Sequence, residues 1–179
     1  IKISKWWEPT RSQQKEKFYS KDLENQIHHK IEQSVKRQMI CDVKNGVFLS
    51  GGIDSSLITA LYQKNSIEKI KSFTIGSSSN QMDESKSAKQ IAHHLGTEHN
   101  EIIVNPKDQM NLIEKLPEIY DEPFADSSQI PSLLINNFAS KHVKVALTGD
   151  GGDEIFCGYN RYIYSFQIWK IIQLLNRYK

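Results

Sequence analysis

The segment at residues 47–56 constrains the fold of this chain more than any other, and it reads Val-Phe-Leu-Ser-Gly-Gly-Ile-Asp-Ser-Ser. The apolar run Val47–Leu49 predicts a short buried strand, and the two glycines that follow allow a sharp backbone turn. The polar residues after them can open a helix. A strand that leads through a glycine turn into a helix exposes backbone N–H groups that favour an anion. We therefore expect an α/β protein with an anion-binding loop at this point.

Hydrophobic spacing along the rest of the chain predicts alternating helices and strands. Apolar residues recur every four positions from Leu23 to Met39, which predicts a helix over residues 21–40. Apolar runs predict three further strands, at Ile70–Ile75, Glu101–Val104 and Val143–Thr148. Other helices are expected after residue 53, from the cap Asp83, from Pro106 to about Leu116, over Gln129–Ser140 and through the last thirty residues. This alternation predicts a parallel sheet covered on both faces, with ligands beyond the carboxyl ends of its strands.

The composition argues against a membrane or a nucleic-acid partner. The formal net charge is +2, and no apolar run approaches the roughly 20 residues of a membrane-spanning helix. Cys41 and Cys157 lie far apart and outside any metal-binding spacing, so neither a disulfide nor a zinc framework is expected. A reducing, cytoplasmic location is the default for such a chain.

The residue types at positions 50–56 suit the binding of a phosphate chain. The donors are the backbone N–H groups of the glycines and the hydroxyls of the serines: Ser50, Gly51, Gly52, Ser55 and Ser56. The carboxylate of Asp54 would repel phosphate unless a cation lay between them, which points to Mg²⁺. No lysine follows the glycines, so the segment is not a Walker loop. The alternative is an ordinary strand-to-helix turn in which Asp54 and Ser55 cap the helix.

Five ordered motifs give the chain a resemblance to a known family. They are D-V-K-N-G-V-F-L-S-G-G-I-D-S-S, S-F-T-I-G, D-E-S-K-S-A-K-Q-I-A-H-H-L-G-T-E-H, D-E-P-F-A-D-S-S and T-G-D-G-G-D-E-I-F-C-G-Y. S-G-G-I-D-S-S resembles the pyrophosphate-binding loop of the N-type ATP pyrophosphatases. The whole set, over about residues 20–165, resembles the synthetase domain of glutamine-dependent asparagine synthetases. The resemblance implies a doubly wound, Rossmann-like α/β domain of the adenine nucleotide alpha hydrolase type, with additional helices.

The resemblance also implies a reaction with ATP and Mg²⁺. ATP adenylates a side-chain carboxylate, pyrophosphate leaves, and ammonia attacks the acyl-adenylate to give an amide. The protein then needs no covalent nucleophile, because its task is to align the reactants and to neutralise the leaving pyrophosphate. Pyrophosphate would be held by Ser50, Gly51, Gly52, Ser55 and Ser56. The adenosine pocket would be lined by Leu49, Ile75 and the backbone of Thr148 and Gly149.

The acidic turn at residues 150–154 supplies the other predicted site residues. Asp150, Asp153 and Glu154 bring three carboxylates close together, which is costly unless solvent or a cation separates them. We expect Asp54 and Asp153 to hold Mg²⁺, and Asp54 and Asp150 to take part in catalysis. Asp150 stands where asparagine synthetases typically carry a glutamate credited with handling the ammonia-addition intermediate, and this departure weakens the assignment of aspartate as the acceptor. The alternative is a solvated turn that caps the following helix.

The acceptor acid is less defined than the nucleotide. Glu122, Asp126 and Ser127 are candidates for binding it, although Pro123 and Phe124 could equally fix an ordinary loop there. A related synthetase that amidates a sugar carboxylate or modifies a peptide fits the same motifs. An enzyme that adenylates a tRNA base is disfavoured by the balanced charge. A non-catalytic nucleotide-binding module is a further alternative.

The domain organisation is also expected from the resemblance. Residues 1–20 are predicted to be a lead-in, and residues 21–179 an ATP pyrophosphatase domain that is truncated at both ends. The family's basic pyrophosphate-binding residues would then lie beyond Lys179. A glutaminase domain that supplies ammonia is expected upstream, the substrates are small molecules, and a homodimer is compatible with this arrangement.

Overall fold

The computed structural model describes residues 3–4, 20–78, 84–123 and 125–175. It divides the chain into two units, residues 1–34 and residues 35–179. Helix α1 (Ser20–Gln38) begins in the first unit and ends in the second, and it confirms the helix predicted over residues 21–40. Most of the predicted lead-in at residues 1–20 lies outside the described residues, so that assignment stays a prediction.

The second unit is built on a four-stranded parallel sheet with the strand order β3-β2-β1-β4. The strands are β1 (Asn45–Phe48), β2 (Lys71–Ser77), β3 (Glu98–Val104) and β4 (Val145–Leu147). In the register of the sheet, Val47 lies opposite both Ser72 and Leu147. The four predicted strands and their parallel arrangement are therefore confirmed, with their ends shifted by up to three residues.

The largest shift at a strand start is at β3, which begins at Glu98 rather than Glu101, and β4 begins at Val145 although it was expected from residue 143. Val143 instead ends the preceding helical segment, because its backbone N–H donates to the Ala139 carbonyl at 2.9 Å and its side chain is buried. At β1 the strand ends at Phe48, yet the Leu49 N–H still donates to the Phe73 carbonyl at 2.9 Å. Leu49 thus continues the ladder to the point where the glycine turn begins.

Seven helices follow α1 among the described residues. They are α2 (Ile53–Asn65), α3 (Ser85–Leu95), α4 (Pro106–Ile113), α5 (Leu116–Ile119), α6 (Gln129–Ala139), α7 (Gly152–Phe156) and α8 (Asn160–Leu175). The helix predicted from Pro106 ends early at Ile113, and Pro117 lies in the first turn of the separate helix α5. The predicted cap Asp83 lies outside the described residues, and Glu84 occupies the N-cap of α3. None of the described helices is both long and apolar enough to cross a bilayer.

Helices cover both faces of the sheet, as predicted. Successive residues of a strand point to opposite faces. Phe48 packs into a buried cluster with α6, whereas Leu49 packs into a second cluster with α3. The first cluster contains Phe73, Ile135, Phe138, Ala139 and Val143, and the second contains Ala88, Ile91 and Ala92. Because the sheet is covered on both faces, a ligand can reach its strands only at an edge or an end.

Candidate functional site

An open cleft of about 1400 Å³ lies at the carboxyl ends of β1, β2 and β4. Most of the predicted site residues line it: Leu49, Ser50, Gly52, Asp54, Ser55, Ile75, Thr148, Gly149, Asp150 and Asp153. Pockets for one small molecule are typically about 300–1,000 Å³. The cleft is therefore large enough for a nucleotide together with a second substrate.

The loop after β1 is fixed by hydrogen bonds among its own residues. Ser55 is 9% exposed, and its hydroxyl lies 2.9 Å from the Ser50 hydroxyl and donates to the Gly52 carbonyl at 3.2 Å. The Ser50 N–H donates to the Ser55 hydroxyl at 3.2 Å, and the Gly52 N–H donates to the Ser50 hydroxyl at 3.3 Å. No side chain caps α2 at Gly52, so the first N–H groups of this helix remain available at the cleft. The loop is thus shaped before any ligand arrives.

Two residues of the same loop turn away from the cleft. Gly51 has a φ of 88°, and a Cβ there would lie 3.0 Å from the Ala88 nitrogen and from the Ser87 Cβ. Gly51 therefore presses against the first turns of α3, where only a glycine fits. The Ser56 hydroxyl donates to the Gly52 carbonyl at 2.6 Å. Neither Gly51 nor Ser56 lines the cleft, so direct phosphate contacts by these two residues stay predictions.

The loop after β4 lies directly against the first turn of α2. A Cβ at Gly149 would lie 2.8 Å from the Ser55 nitrogen and 2.9 Å from the Asp54 carbonyl carbon. A Cβ at Gly152 would overlap Asp54 Oδ2. The carboxylate of Asp54 thus points into the acidic turn at residues 150–154. Two segments that are about a hundred residues apart in sequence form one wall of the cleft.

The carboxylates of this wall fit the needs of a magnesium ion only in part. Asp54, Asp150 and Asp153 all line the cleft. The described residues contain no group of three or more His, Cys, Asp or Glu side chains that could hold a metal by themselves. Mg²⁺ in nucleotide sites typically takes one or two carboxylates and completes its six ligands with phosphate oxygens and water. The predicted pair Asp54 and Asp153 is compatible with that arrangement.

Glu154 differs from Asp150 and Asp153 because its carboxylate accepts a hydrogen bond from Tyr159. The Tyr159 hydroxyl donates to Glu154 Oε1 at 2.7 Å. This bond lowers the pKa of the Glu154 carboxyl and raises the pKa of Tyr159 to about 12. Between Glu154 and Tyr159, Cys157 ends α7 in a left-handed conformation with a φ of 59°. The last predicted helix is broken there into α7 and α8.

Helix α6 forms a wall of the cleft that the sequence did not reveal as a site. The residues that it contributes to the cleft lie along one helix face: Ser128, Pro131, Ser132, Ile135 and Asn136. That spacing of three and four positions was the available signal. Asp126, just before α6, also lines the cleft, and the N–H and hydroxyl of Ser128 donate to it at 2.8 and 2.7 Å and lower its pKa. The other two acceptor candidates, Glu122 and Ser127, do not line the cleft.

The residues predicted to contact adenosine lie together at the ends of β1, β2 and β4. Ile75, Thr148 and Gly149 line the cleft. Leu49 also lines it but is only 1% exposed, and the buried hydroxyl of Thr74 donates to its carbonyl at 2.6 Å. Leu49 can therefore offer only a small contact surface to a ligand, whereas its carbonyl is held rigidly in place.

A parallel sheet covered on both faces by helices, with a glycine–serine turn after a central strand, defines a doubly wound α/β protein. Two solved structures share this fold. NMN synthetase from Francisella tularensis matches with a TM-score of 0.50 and 19% identity, over 79% of this chain and 59% of that protein. NH₃-dependent NAD synthetase from Campylobacter jejuni matches with a TM-score of 0.51 and 15% identity, over 76% and 60%.

Sequence comparison is more specific than the fold. The profile of the family described as asparagine synthase matches residues 26–177. The chain belongs to this asparagine synthase family. It is 39% identical over 140 residues to an asparagine synthetase [glutamine-hydrolyzing] of Bacillus subtilis, 37% identical over 136 residues to a putative one of Methanocaldococcus jannaschii, and 31% identical over 151 residues to asparagine synthetase B of Escherichia coli. These matches cover 75–78% of this chain but only 22–27% of the relatives.

Proposed function

We propose that the protein is an ATP-dependent amide-forming ligase of the glutamine-hydrolysing asparagine synthetase type. In this reaction the side-chain carboxylate of aspartate attacks the α-phosphorus of ATP, and the bond to the leaving pyrophosphate breaks. Ammonia then attacks the acyl-adenylate, and AMP leaves as the amide forms. The observation that carries the proposal is the contact between the loops after β1 and β4, in a chain of the asparagine synthase family.

The residues of the cleft divide between the two ends of ATP. Ser50, Gly52 and Ser55, together with the free N–H groups at the start of α2, are suited to the pyrophosphate. Ile75 and the backbone around Thr148 are suited to adenosine. Because the serine network is formed in the protein alone, little reorganisation is needed when the pyrophosphate begins to leave.

Magnesium would be held by Asp54 and Asp153 together with oxygens of the phosphate chain. When bound, it neutralises charge on the leaving pyrophosphate. Asp150 would handle the proton that the attacking ammonia must lose, since it is an exposed carboxylate within the same cleft. These roles are proposals, and each rests on the contact of Asp54 with the acidic turn.

In the full-length protein, the ammonia would come from a glutaminase domain, as the names of the relatives suggest. The two cysteines are unpaired and exposed, which is consistent with a reducing cytoplasm. A homodimer stays a prediction.

ATP–pyrophosphate exchange tests this proposal on the full-length gene product. Aspartate, other carboxylic acids and tRNA are supplied in turn, and the incorporation of labelled pyrophosphate into ATP is measured. We expect exchange that depends on aspartate. Exchange with a different acid alone would retain the chemistry and change the acceptor, which Asp150 in place of the family's glutamate makes a specific alternative. Exchange with tRNA alone, or with no acceptor, would refute the proposal.

A further inference from the structure

The cleft is strongly acidic for a site that binds a polyanion. Six carboxylates line it: Asp54, Glu84, Asp126, Asp150, Asp153 and Glu154. Among the described residues, no lysine, arginine or histidine lines it. ATP would bring several further negative charges into the same space. One magnesium ion offsets only two of these charges, so a positive side chain close to the cleft would favour nucleotide binding.

The connection between α7 and α8 holds an arginine next to this cleft. Tyr159 lines the cleft, and the guanidinium carbon of Arg161 lies 4.0 Å from the centre of the Tyr159 ring. It also lies 5.6 Å from the ring centre of Tyr162, and the two tyrosine rings meet edge to face. A guanidinium over an aromatic ring at this distance is a stabilising cation–π contact. Arg161 is therefore held one side chain away from the cleft wall.

The way in which Arg161 is held leaves its hydrogen-bond donors available. No carboxylate lies within ion-pairing distance of its guanidinium in the part of the chain that the structure describes. Its guanidinium N–H groups donate no hydrogen bond to another of the described residues. Glu154 is close enough for the charge of Arg161 to contribute to its lowered pKa, after the larger effect of the Tyr159 hydroxyl that its carboxylate accepts. A phosphate that approached Arg161 would therefore compete with this attraction to Glu154, but not with a close ion pair among the described residues.

We propose that Arg161 binds the phosphate chain of the nucleotide, with Tyr159 and Tyr162 holding it at the mouth of the cleft. This inference rests on the proposed function, because it takes ATP as the ligand. Arginine suits the role because its planar fork can donate two parallel hydrogen bonds to phosphate. A purely structural role, in which Arg161 only joins α7 to α8, is the competing explanation.

The binding of a non-hydrolysable ATP analogue with Mg²⁺ to the full-length gene product tests the proposal without requiring turnover. Three variants are compared: Arg161→Met, which removes the charge, Arg161→Lys, which keeps it, and Lys144→Met, which removes an exposed cation before β4. We expect Arg161→Met to weaken binding about ten-fold or more, as for the loss of a hydrogen bond to a charged group. Arg161→Lys keeps the charge but not the planar fork, so it should recover part of this loss. Lys144→Met should bind within about two-fold of the unsubstituted protein.

The outcomes separate the two hypotheses. Equal binding by Arg161→Met and the unsubstituted protein would refute the role of Arg161 and leave the proposed function standing. A loss that Arg161→Lys does not recover, with a lowered melting temperature in both variants, would mean that the role is structural. If the unsubstituted protein binds no nucleotide, the proposed function fails, and the role of Arg161 fails with it. If Arg161→Met does not fold, Arg161→Gln, which also removes the charge but keeps a polar side chain, replaces it in the same comparison with the same expected loss.

Discussion

The two loops that meet at the cleft are built in different ways. The loop after the central strand β1 contains a nearly buried serine and four hydrogen bonds among Ser50, Gly52 and Ser55. The loop after the edge strand β4 carries exposed Asp150 and Glu154, and it turns through left-handed residues at Gly151 and Cys157. Both loops contain internal hydrogen bonds, but those of the first join side chains around a buried serine, whereas those of the second run mainly through its backbone, as from the Gly152 N–H to the Gly149 carbonyl at 3.2 Å. The first loop thus offers hydrogen-bond donors to the cleft, and the second offers carboxylates.

Removing the charge of Asp54 should reduce ATP turnover more than any other change proposed for the two loops, since its carboxylate lies where they meet. We expect Asp54→Asn to lower magnesium-dependent ATP turnover by about 100-fold or more, a loss typical of removing one preorganised electrostatic group. Turnover is measured by pyrophosphate release from the full-length gene product. Asp42→Asn, an exposed change just before β1, is the matched control and should leave turnover unaltered. Retained turnover in Asp54→Asn would refute the role of this residue.

Two glycines with the same backbone conformation compare the loops directly. Gly51 and Gly151 have φ angles of 88° and 90°, yet a Cβ would clash with α3 at Gly51 and meet nothing within 4 Å at Gly151. Gly151→Ala should cost about 1–2 kcal/mol of unfolding free energy from backbone strain alone. Gly51→Ala should add about 1–3 kcal/mol for overpacking. Urea unfolding measures both, and equal losses would mean that the first loop is no more tightly packed than the second.

The serines of the first loop offer a smaller contrast. Ser55→Ala removes a buried hydroxyl that takes part in three hydrogen bonds with Ser50 and Gly52, and we expect a loss of about 1–3 kcal/mol. Ser56→Ala removes one bond to the Gly52 carbonyl and should cost about 1 kcal/mol or less. Thermal unfolding at constant pH compares them. A larger loss for Ser56→Ala would contradict the view that the Ser50–Ser55 network fixes the loop.

In the second loop, Tyr159→Phe should change the pKa of Glu154 and have little other effect. Donation by the Tyr159 hydroxyl holds the pKa of Glu154 below its ordinary value, so removing the donor should move that pKa upward and let Glu154 take up its proton at a higher pH. Carboxyl carbon chemical shifts followed against pH measure this change. Tyr164→Phe, at an exposed position of α8, should leave the titration as it was. An unmoved pKa in Tyr159→Phe would mean that the bond does not persist in solution.

The sequence was sufficient for the fold because its signals are local. Short apolar runs gave β1 to β4, and the glycine turn gave the edge at which the site lies. The ends of elements were less accurate, because they depend on tertiary contacts such as the bond from the Val143 N–H to the Ala139 carbonyl. The break at Cys157 had no signal, since a non-glycine residue with positive φ is held there by surrounding contacts.

The site was only partly predictable, for a similar reason. The glycine–serine string identified the phosphate-binding loop, but it could not tell that Gly51 faces α3 or that Ser56 bonds its own helix. The wall formed by α6 could be predicted only from the packing of that helix on β2, and no short sequence motif specifies this packing. Of the three acceptor candidates Glu122, Asp126 and Ser127, only Asp126 lines the cleft. That difference depends on the path of the backbone, which the sequence motif does not specify.

The register of β4 has a consequence for how the site is assembled during synthesis. Gly46 pairs with Lys71 on one side, 25 positions away, and Asn45 pairs with Val145 on the other, 100 positions away. At about 5–20 residues per second, those 100 residues take on the order of 5–20 s to emerge from a ribosome. The first loop can thus fold against β2 and α3 well before its acidic partner exists. We expect the nascent chain to gain its serine network first and its acidic wall last.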